Sequence, residues 1–182
     1  MNNLSRLLTA KNLAMLDALS KKDHTLRDLA VETGCSPAKA HQAIRLFEAE
    51  GIIHTARHKN QLRASPNRSH PLYRTIVALI NLHQLTHSSG LIALSKIGKV
   101  GVYGSYANGT DDLASDIDLV IITKKTELEL RPILRRLAEE LKHPVAPLLL
   151  SLEQFARLEK NDPAFASRLR QTTVGLTGEL FD

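Results

Sequence analysis

Apolar residues recur at helical spacing through the first third of the chain. Residues 5–20 predict an amphipathic helix. Thr25 has the position of an N-cap for a second, short helix, which ends at Gly34. Ser36, followed by proline, opens a third helix that ends near Gly51. The pattern therefore predicts three short helices before any strand.

Two short extended runs follow, at residues 52–56 and 61–64, around a polar tip at 57–60. Their arrangement predicts a β-hairpin. Three helices with a glycine turn between the last two, then a basic hairpin, follow the element order of a winged helix-turn-helix. Residues 26–36 and 46–53 resemble the corresponding segments of that family, and the resemblance covers about residues 5–65.

That resemblance implies a domain in which the third helix enters the major groove of double-stranded DNA and the hairpin contacts the backbone. Gln42 has the chemistry to pair with adenine, and Arg45 with guanine or a phosphate. The open alternative is a protein–protein or homodimer module with a solvated helix face. The candidate DNA-binding residues are Ser36, Lys39, His41, Gln42 and Arg45 of the helix, with Arg57, His58, Lys59 and Arg63 of the hairpin.

The pattern changes in the second half of the chain. A linker at 66–69 precedes a long helix at 71–87, and from Lys99 onward buried strands alternate with helices. We predict strands at 100–103, 117–122 and 145–150, and helices at 126–141, 152–158 and 163–170. The fold class is α+β, with an N-terminal winged helix-turn-helix at 1–66, linker helices at 67–97 and a small mixed-sheet domain with flanking helices at 98–182.

Candidate chemistry lies between the first two of these strands. Gly104 and Ser105 end a strand and start a helix, where backbone N–H groups and a hydroxyl can hold a phosphate. Asp116 and Asp118 lie two apart, so on a strand both carboxylates project from one face. Such hard oxygen ligands suit Mg²⁺ bridging a triphosphate. Together the two motifs indicate nucleotidyl transfer.

The segment 104–120 resembles the signature of the DNA polymerase beta-type nucleotidyltransferase superfamily, and within it the minimal nucleotidyltransferase domains. The resemblance covers about residues 98–180. It implies that Gly104, Ser105 and Ser115 bind a nucleoside triphosphate such as ATP. It also implies that Asp116 and Asp118 are catalytic and hold Mg²⁺ or Mn²⁺.

The segment departs from the family pattern in two ways. Asn108 stands where family members often have an arginine that contacts phosphate. Active members also carry a third carboxylate on a later strand, and residues 145–150 contain no Asp or Glu. Without that carboxylate a two-metal mechanism lacks its general base and one ligand, so binding without efficient catalysis becomes a competing interpretation.

Charge is unevenly distributed along the chain. Residues 1–97 carry a net charge of +7, and residues 98–182 carry −2. This asymmetry favours a polyanionic partner for the N-terminal part.

No apolar run approaches the length of a membrane span, the N-terminus lacks the pattern of a signal peptide, and a single cysteine excludes an internal disulfide. We expect a cytoplasmic protein.

These observations lead to one preferred hypothesis and two others. The preferred one is a DNA-binding transcriptional regulator whose C-terminal domain binds nucleotide and Mg²⁺. The alternative is an active nucleotidyltransferase that transfers a nucleoside monophosphate to a protein or a small acceptor. A third is an antitoxin, in the manner of related stand-alone domains that modify a toxin partner.

Overall fold

The structure is a computed structural model that describes residues 3–59 and 61–181. The described residues are mixed α and β, as predicted, and form two compact units, residues 1–80 and 81–182. The helices are α1 (Asn3–Leu7), α2 (Ala10–Lys21), α3 (Leu26–Glu32), α4 (Pro37–Ala49), α5 (Pro71–Thr86), α6 (Ser89–Leu94), α7 (Gly104–Asn108), α8 (Glu127–Leu141), α9 (Leu152–Asn161) and α10 (Pro163–Thr172). The strands are β1 (His24–Thr25), β2 (Ile53–His58), β3 (Gln61–Pro66), β4 (Lys99–Tyr103), β5 (Ile117–Ile122), β6 (Val145–Leu150) and β7 (Val174–Gly175).

The first unit contains the predicted helices and hairpin, with one correction. The single helix expected at 5–20 is interrupted, because Thr9 adopts an extended conformation and its side chain caps α2 by accepting from the Asn12 N–H. Thr25 and Ser36 cap α3 and α4, as predicted, by accepting from backbone N–H groups three residues on. Gly34 ends the α3 turn at φ +59°, in the left-handed region that favours glycine.

A two-residue strand, β1, lies between α2 and α3, where the sequence pattern predicts no strand. It pairs with β3, so the hairpin becomes a three-stranded antiparallel sheet of order β1-β3-β2. His24 of β1 is buried, and its two ring nitrogens lie 2.8 Å from the Glu32 carboxylate and 2.9 Å from the Lys22 carbonyl. These contacts hold the ring of His24 between β1 and the end of α3.

The second unit is built on a four-stranded sheet of order β6-β5-β4-β7. Strands β5 and β6 are parallel, and the other pairs are antiparallel. One face, which includes Leu119 and Ile121, packs against the C-terminal part of α5, α6 and α8. The other face, which includes Val120 and Ile122, packs against α9, α10 and the C-terminal segment. Because neighbouring side chains alternate between faces, Asp118 lies on the α9–α10 face.

Helix α5 contributes to both hydrophobic cores. Tyr73, Ile76 and Val77 are buried in the core of the first unit, and Leu85 is buried in that of the second.

In the described part of the chain, no helix is both long and apolar enough to cross a membrane. The domain boundaries at 66 and 97 stay predictions.

The contact between α6 and α8 gives a test of this packing. A Cβ on Gly90 would lie 2.7 Å from the Leu137 Cβ and 3.0 Å from its Cα, so backbone would have to move. Alanine gains about 1 kcal/mol of helix propensity over glycine, but overpacking costs about 1–3 kcal/mol. We expect Gly90→Ala to lower the free energy of unfolding, measured by urea denaturation. Ile92→Ala, on the same helix and 51% exposed, is the control and should change it by less than about 0.5 kcal/mol.

Candidate functional sites

The candidate DNA-binding residues of the third helix lie on the outer side of α4. The opposite side of α4 is buried in the core through Ala40, Ala43, Ile44 and Phe47. Ser36 serves as the N-cap, and its hydroxyl accepts from the Lys39 N–H at 3.3 Å. Within the described residues, no ion pair involves the exposed cations of this helix, Lys39 and Arg45. His41 and Gln42 are exposed beside them.

The hairpin distributes its cations over both of its faces. Arg57 is opposite Leu62 and Arg63 is opposite Ala56 in the β2–β3 register. Since these two pairs are adjacent along the ladder, Arg57 and Arg63 lie on opposite faces. Both are exposed, as is Lys59 at the tip, where φ is +44°. The side chain of His58 lies outside the described residues.

The turn between β4 and α7 is shaped by Gly104. Its φ is +72°, in the region where residues with a side chain are strained, and a Cβ there would lie 2.3 Å from the Asp118 Oδ2. A side chain at 104 and the carboxylate of Asp118 therefore cannot occupy the same space. The two motifs recognised in the sequence meet at this point.

The acid pair differs in one respect from the sequence prediction. Strand β5 begins at Ile117, so Asp116 precedes the strand and only Asp118 lies on it. Asp118 is half-buried and stands opposite Tyr103 in the antiparallel register with β4. Asp116 is exposed.

The electrostatics of the pair reflect burial and like charge. Burial raises the pKa of Asp118, and the nearby Asp116 charge raises it further. Burial, with the charge of Asp118, also raises the pKa of the Tyr103 hydroxyl. A cation placed between the carboxylates would relieve this repulsion, which is the chemistry expected of a metal site.

The donor set fits Mg²⁺ that is carried by a nucleotide. Among the described residues, no group of three or more His, Cys, Asp or Glu side chains could hold a metal ion alone. Mg²⁺ commonly binds through one or two carboxylates together with substrate phosphates and waters, and rarely through a cage built only of protein. Asp116 and Asp118 are such a pair, and the Asp118 carboxylate lies against the backbone of Gly104, where a side chain would otherwise stand.

The two serines assigned to nucleotide binding occupy different surroundings. Ser105 is half-buried in the first turn of α7, and its hydroxyl has no hydrogen-bond partner within the described residues. The hydroxyl of Ser115 is already engaged, since it donates to the Asp112 carboxylate and accepts from the Asp112 N–H, each at 3.0 Å. Ser115 thus shapes the loop before Asp116.

No carboxylate reaches this site from β6. The β5–β6 register places Ala146 beside Asp118, where a third acid would be needed. Glu127, Glu129, Glu139 and Glu140 all lie on α8, which packs on the opposite face of the sheet. Glu129 closes the capping box of that helix with Thr126.

Comparison with known families identifies the second unit. Residues 87–165, less than half of the chain, match the family model described as a nucleotidyltransferase domain. The chain contains a nucleotidyltransferase domain. No curated protein matches the chain significantly.

One solved structure aligns with part of the chain. The crystal structure of NolR from Sinorhizobium fredii aligns over 42% of this chain and 75% of its own, at 25% sequence identity and a TM-score of 0.38. A TM-score this low does not establish a shared fold.

The loop that carries Asp116 is supported by residues that sequence reasoning missed. The side-chain amide of Asn81, on α5, donates to the Tyr106 carbonyl at 3.0 Å and to the Asp111 carboxylate at 2.7 Å. His143 donates from Nδ1 to the Ser115 carbonyl at 3.1 Å. The sequence did contain an indication of this role. Asn81 falls on the apolar stripe of α5, four residues after Val77, and a polar amide at a buried position requires hydrogen-bond partners.

A groove of about 1310 Å³ lies elsewhere in the nucleotidyltransferase domain. It is lined by residues at the other end of β4 and β5, including Lys99 and Thr123, and does not include the acid pair. The candidate site is therefore identified by the position of Gly104 against Asp118. It does not coincide with this groove.

The raised pKa of Asp118 predicts a stability that depends on pH. Between the ordinary value of 3.8 and the raised value, the folded protein binds more protons at this group than the unfolded chain does. Stability therefore falls as pH rises through this window, and the loss persists at neutral pH. Without metal, we expect Asp118→Asn to unfold at a higher urea concentration than wild type at pH 7.

The comparison variant for this measurement is Asp116→Asn. It removes the repulsion but leaves Asp118 buried, and burial is the larger cause of the shift. We therefore expect a smaller stabilisation from Asp116→Asn. The stabilising effect of Asp118→Asn should decrease below pH 3.8. If Asp118→Asn and wild type had equal urea midpoints at pH 7 as well as below pH 3.8, the destabilising effect assigned to the buried Asp118 charge would be contradicted.

Proposed function

We propose that this protein is a DNA-binding transcriptional regulator whose nucleotidyltransferase domain binds a nucleoside triphosphate together with Mg²⁺. The observation that carries the nucleotide half of the proposal is the contact between Gly104 and the Asp118 carboxylate. It brings the turn suited to a phosphate and the carboxylate suited to its metal within van der Waals reach. ATP is the triphosphate we would test first.

Each residue of the site has a distinct task in this proposal. The backbone of Gly104 approaches the phosphates, and the free hydroxyl of Ser105 donates a hydrogen bond to them. Asp116 and Asp118 hold the metal that neutralises the phosphate charge. Ser115 acts indirectly, since its hydroxyl fixes the turn that leads into Asp116.

Binding is favoured over efficient turnover by the neighbour of Asp118 on β6. The methyl group of Ala146 can neither hold a second metal nor accept the proton of an attacking hydroxyl. The bound metal would supply charge neutralisation of the phosphates. A true transferase that modifies a protein or small acceptor, including a toxin-like partner, is the competing function, and the presence of turnover distinguishes it.

The DNA-binding half of the proposal rests on the first unit. Its element order is α2, β1, α3, α4 and then the β2–β3 hairpin, which is the order of a winged helix-turn-helix. Helix α4 buries one side and presents Lys39, Gln42 and Arg45 on the other. In this proposal α4 enters the major groove, and the exposed cations Arg57, Lys59 and Arg63 of the hairpin contact the phosphate backbone.

Nucleotide binding can be tested with Gly104→Ala. We expect wild type to bind ATP more tightly with Mg²⁺ than with EDTA, in a titration with a fluorescent ATP analogue. Gly104→Ala should lose the Mg²⁺-dependent component, because the new Cβ displaces the Asp118 carboxylate. Gly34→Ala is the matched control, since Gly34 also has a positive φ but has no atom within 4 Å of the new Cβ.

The same preparation tests turnover. Protein incubated with α-labelled ATP, Mg²⁺ and cell extract should bind nucleotide without transferring label efficiently. Transfer that disappears in Asp116→Asn/Asp118→Asn would favour the transferase instead. If wild type binds no ATP in the presence of Mg²⁺, the nucleotide half of the proposal fails.

DNA binding can be tested by retention of sheared genomic DNA, with sequencing of the retained fragments. We expect wild type to retain specific fragments in a salt-sensitive way, because phosphate contacts release counterions. Lys39→Ala/Arg45→Ala should abolish retention. For a single retained site, log K for DNA binding falls as log salt rises, and loss of one phosphate contact should make this slope shallower by about 1.

The charge-matched control is Lys21→Ala/Lys22→Ala. These two cations lie at the end of α2, outside the surface assigned to DNA, and each lies near a carboxylate. The control should retain the same fragments as wild type. No retention by wild type at low salt, or an equal loss in both double variants, would contradict a DNA-binding role for α4.

A further inference from the structure

The two halves of the nucleotide site come from separate segments of chain. Gly104 and Ser105 belong to the start of α7, whereas Asp116 follows a loop at residues 110–115. Helix α7 has only five residues and ends at Gly109, whose φ is +65°. The β4–β5 register fixes Gly104 beside Asp118, whereas the rest of α7 and the loop that leads to Asp116 lie outside the sheet and are held by other contacts.

One buried amide contacts both segments. The Nδ2 of Asn81 lies 3.0 Å from the carbonyl oxygen of Tyr106, in α7, and 2.7 Å from Oδ1 of Asp111, at the start of the loop. A primary amide has two N–H groups, so it can donate one to each acceptor. Asn81 is 6% exposed and Asp111 is 8% exposed, so little water is present to replace these bonds.

The loop beyond Asp111 transmits this anchor to the acid pair because it is internally bonded. The Asp112 carboxylate accepts from the Ala114 N–H at 2.9 Å and from the Ser115 hydroxyl at 3.0 Å. The Ser115 N–H donates to the Asp112 carbonyl at 3.1 Å. A turn closed in this way moves as one piece, so fixing Asp111 fixes the point at which Asp116 enters the site.

We propose that Asn81 is a positioning residue that sets where the loop carrying Asp116 lies relative to the phosphate-binding turn. The inference rests on the proposed nucleotide site and adds to it a residue from α5. Asn81 acts through the Tyr106 carbonyl and through Asp111, and it touches neither ligand. Residues that hydrogen-bond directly to a metal ligand typically affect metal affinity by about 10–100-fold; since Asn81 acts one step further from the metal, we take the lower end of that range.

The test measures the ratio of ATP affinity with Mg²⁺ to ATP affinity with EDTA in the full-length protein. We expect Asn81→Ala to reduce this ratio by about 10-fold or more. Asp111→Asn keeps an oxygen acceptor for the Asn81 amide, so it should keep a ratio near that of wild type. Leu137→Ala, which opens the packing of α8 against α6 in the same unit, should lower stability and leave the ratio unchanged.

A second variant covers the case in which Asn81→Ala does not fold, since that change removes a donor from a buried carboxylate. Asn81→Ala/Asp111→Asn removes the amide donor together with the carboxylate charge that it satisfies. It should reduce the Mg²⁺-to-EDTA affinity ratio as much as Asn81→Ala does. A folded Asn81→Ala or double variant with the wild-type ratio would overturn the inference, as would an equal loss in Leu137→Ala.

Failure of the inference can be separated from failure of the proposed function. If wild type shows Mg²⁺-dependent ATP binding and the Asn81 variants keep it, only the role of Asn81 is wrong. If wild type itself shows no Mg²⁺-dependent binding, the nucleotide proposal and the role of Asn81 are both overturned.

Discussion

The missing side chain at Gly104 is the constraint on which the second unit depends. The antiparallel register of β4 and β5 places Tyr103 opposite Asp118, so the residue after Tyr103 must turn away from the strand beside a carboxylate. Only glycine combines the φ of +72° with the 2.3 Å that separates the Asp118 oxygen from the position of a Cβ. The result is a carboxylate held partly out of water, next to a second acid and beside a turn suited to phosphate.

This arrangement stores an electrostatic cost that a ligand can relieve. The burial that raises the pKa of Asp118 is imposed by the sheet, and the repulsion from Asp116 adds to it. Active sites commonly carry such unfavourable charge, because the ligand stabilises what the fold alone does not. A Mg²⁺–triphosphate complex contributes positive charge at the acids and negative charge at the turn, which matches both halves of the site. In the proposed function, Ala146 is the reason why this geometry would favour binding over turnover.

Local signals predicted much of this structure. The caps Thr25 and Ser36 accept hydrogen bonds from backbone N–H groups only three residues on, so the sequence alone identifies them. Strands β4, β5 and β6 are apolar runs, so the pattern predicts all three, although β6 lies at the edge of the sheet and is only partly buried. Strands β1 and β7, with two residues each, exist only because β3 and β4 offer them an edge.

The parts of the site that sequence did not predict depend on contacts between distant segments. Asn81 lies 25 residues before Tyr106 and 30 before Asp111. Its polar side chain interrupts the buried stripe of α5, and only the folded position of the loop shows what it binds. The two-residue spacing of the acids predicts that both lie on one strand, but β5 begins at Ile117 and pairs with β6 only from there onward.

The ion pairs show which of the cations behind the charge asymmetry lie close to a carboxylate and which do not. In the second unit Lys125, Arg135 and Arg170 each lie within 2.8 Å of a glutamate, so much of their charge is neutralised locally. In the first unit, the pairs formed by Lys21 and Lys22 lie at the end of α2. The described cations of α4 and the hairpin are exposed and have no such partner. Five cations without an ion pair among the described residues thus lie on α4 and the hairpin, the elements that a winged helix-turn-helix would present to a polyanion.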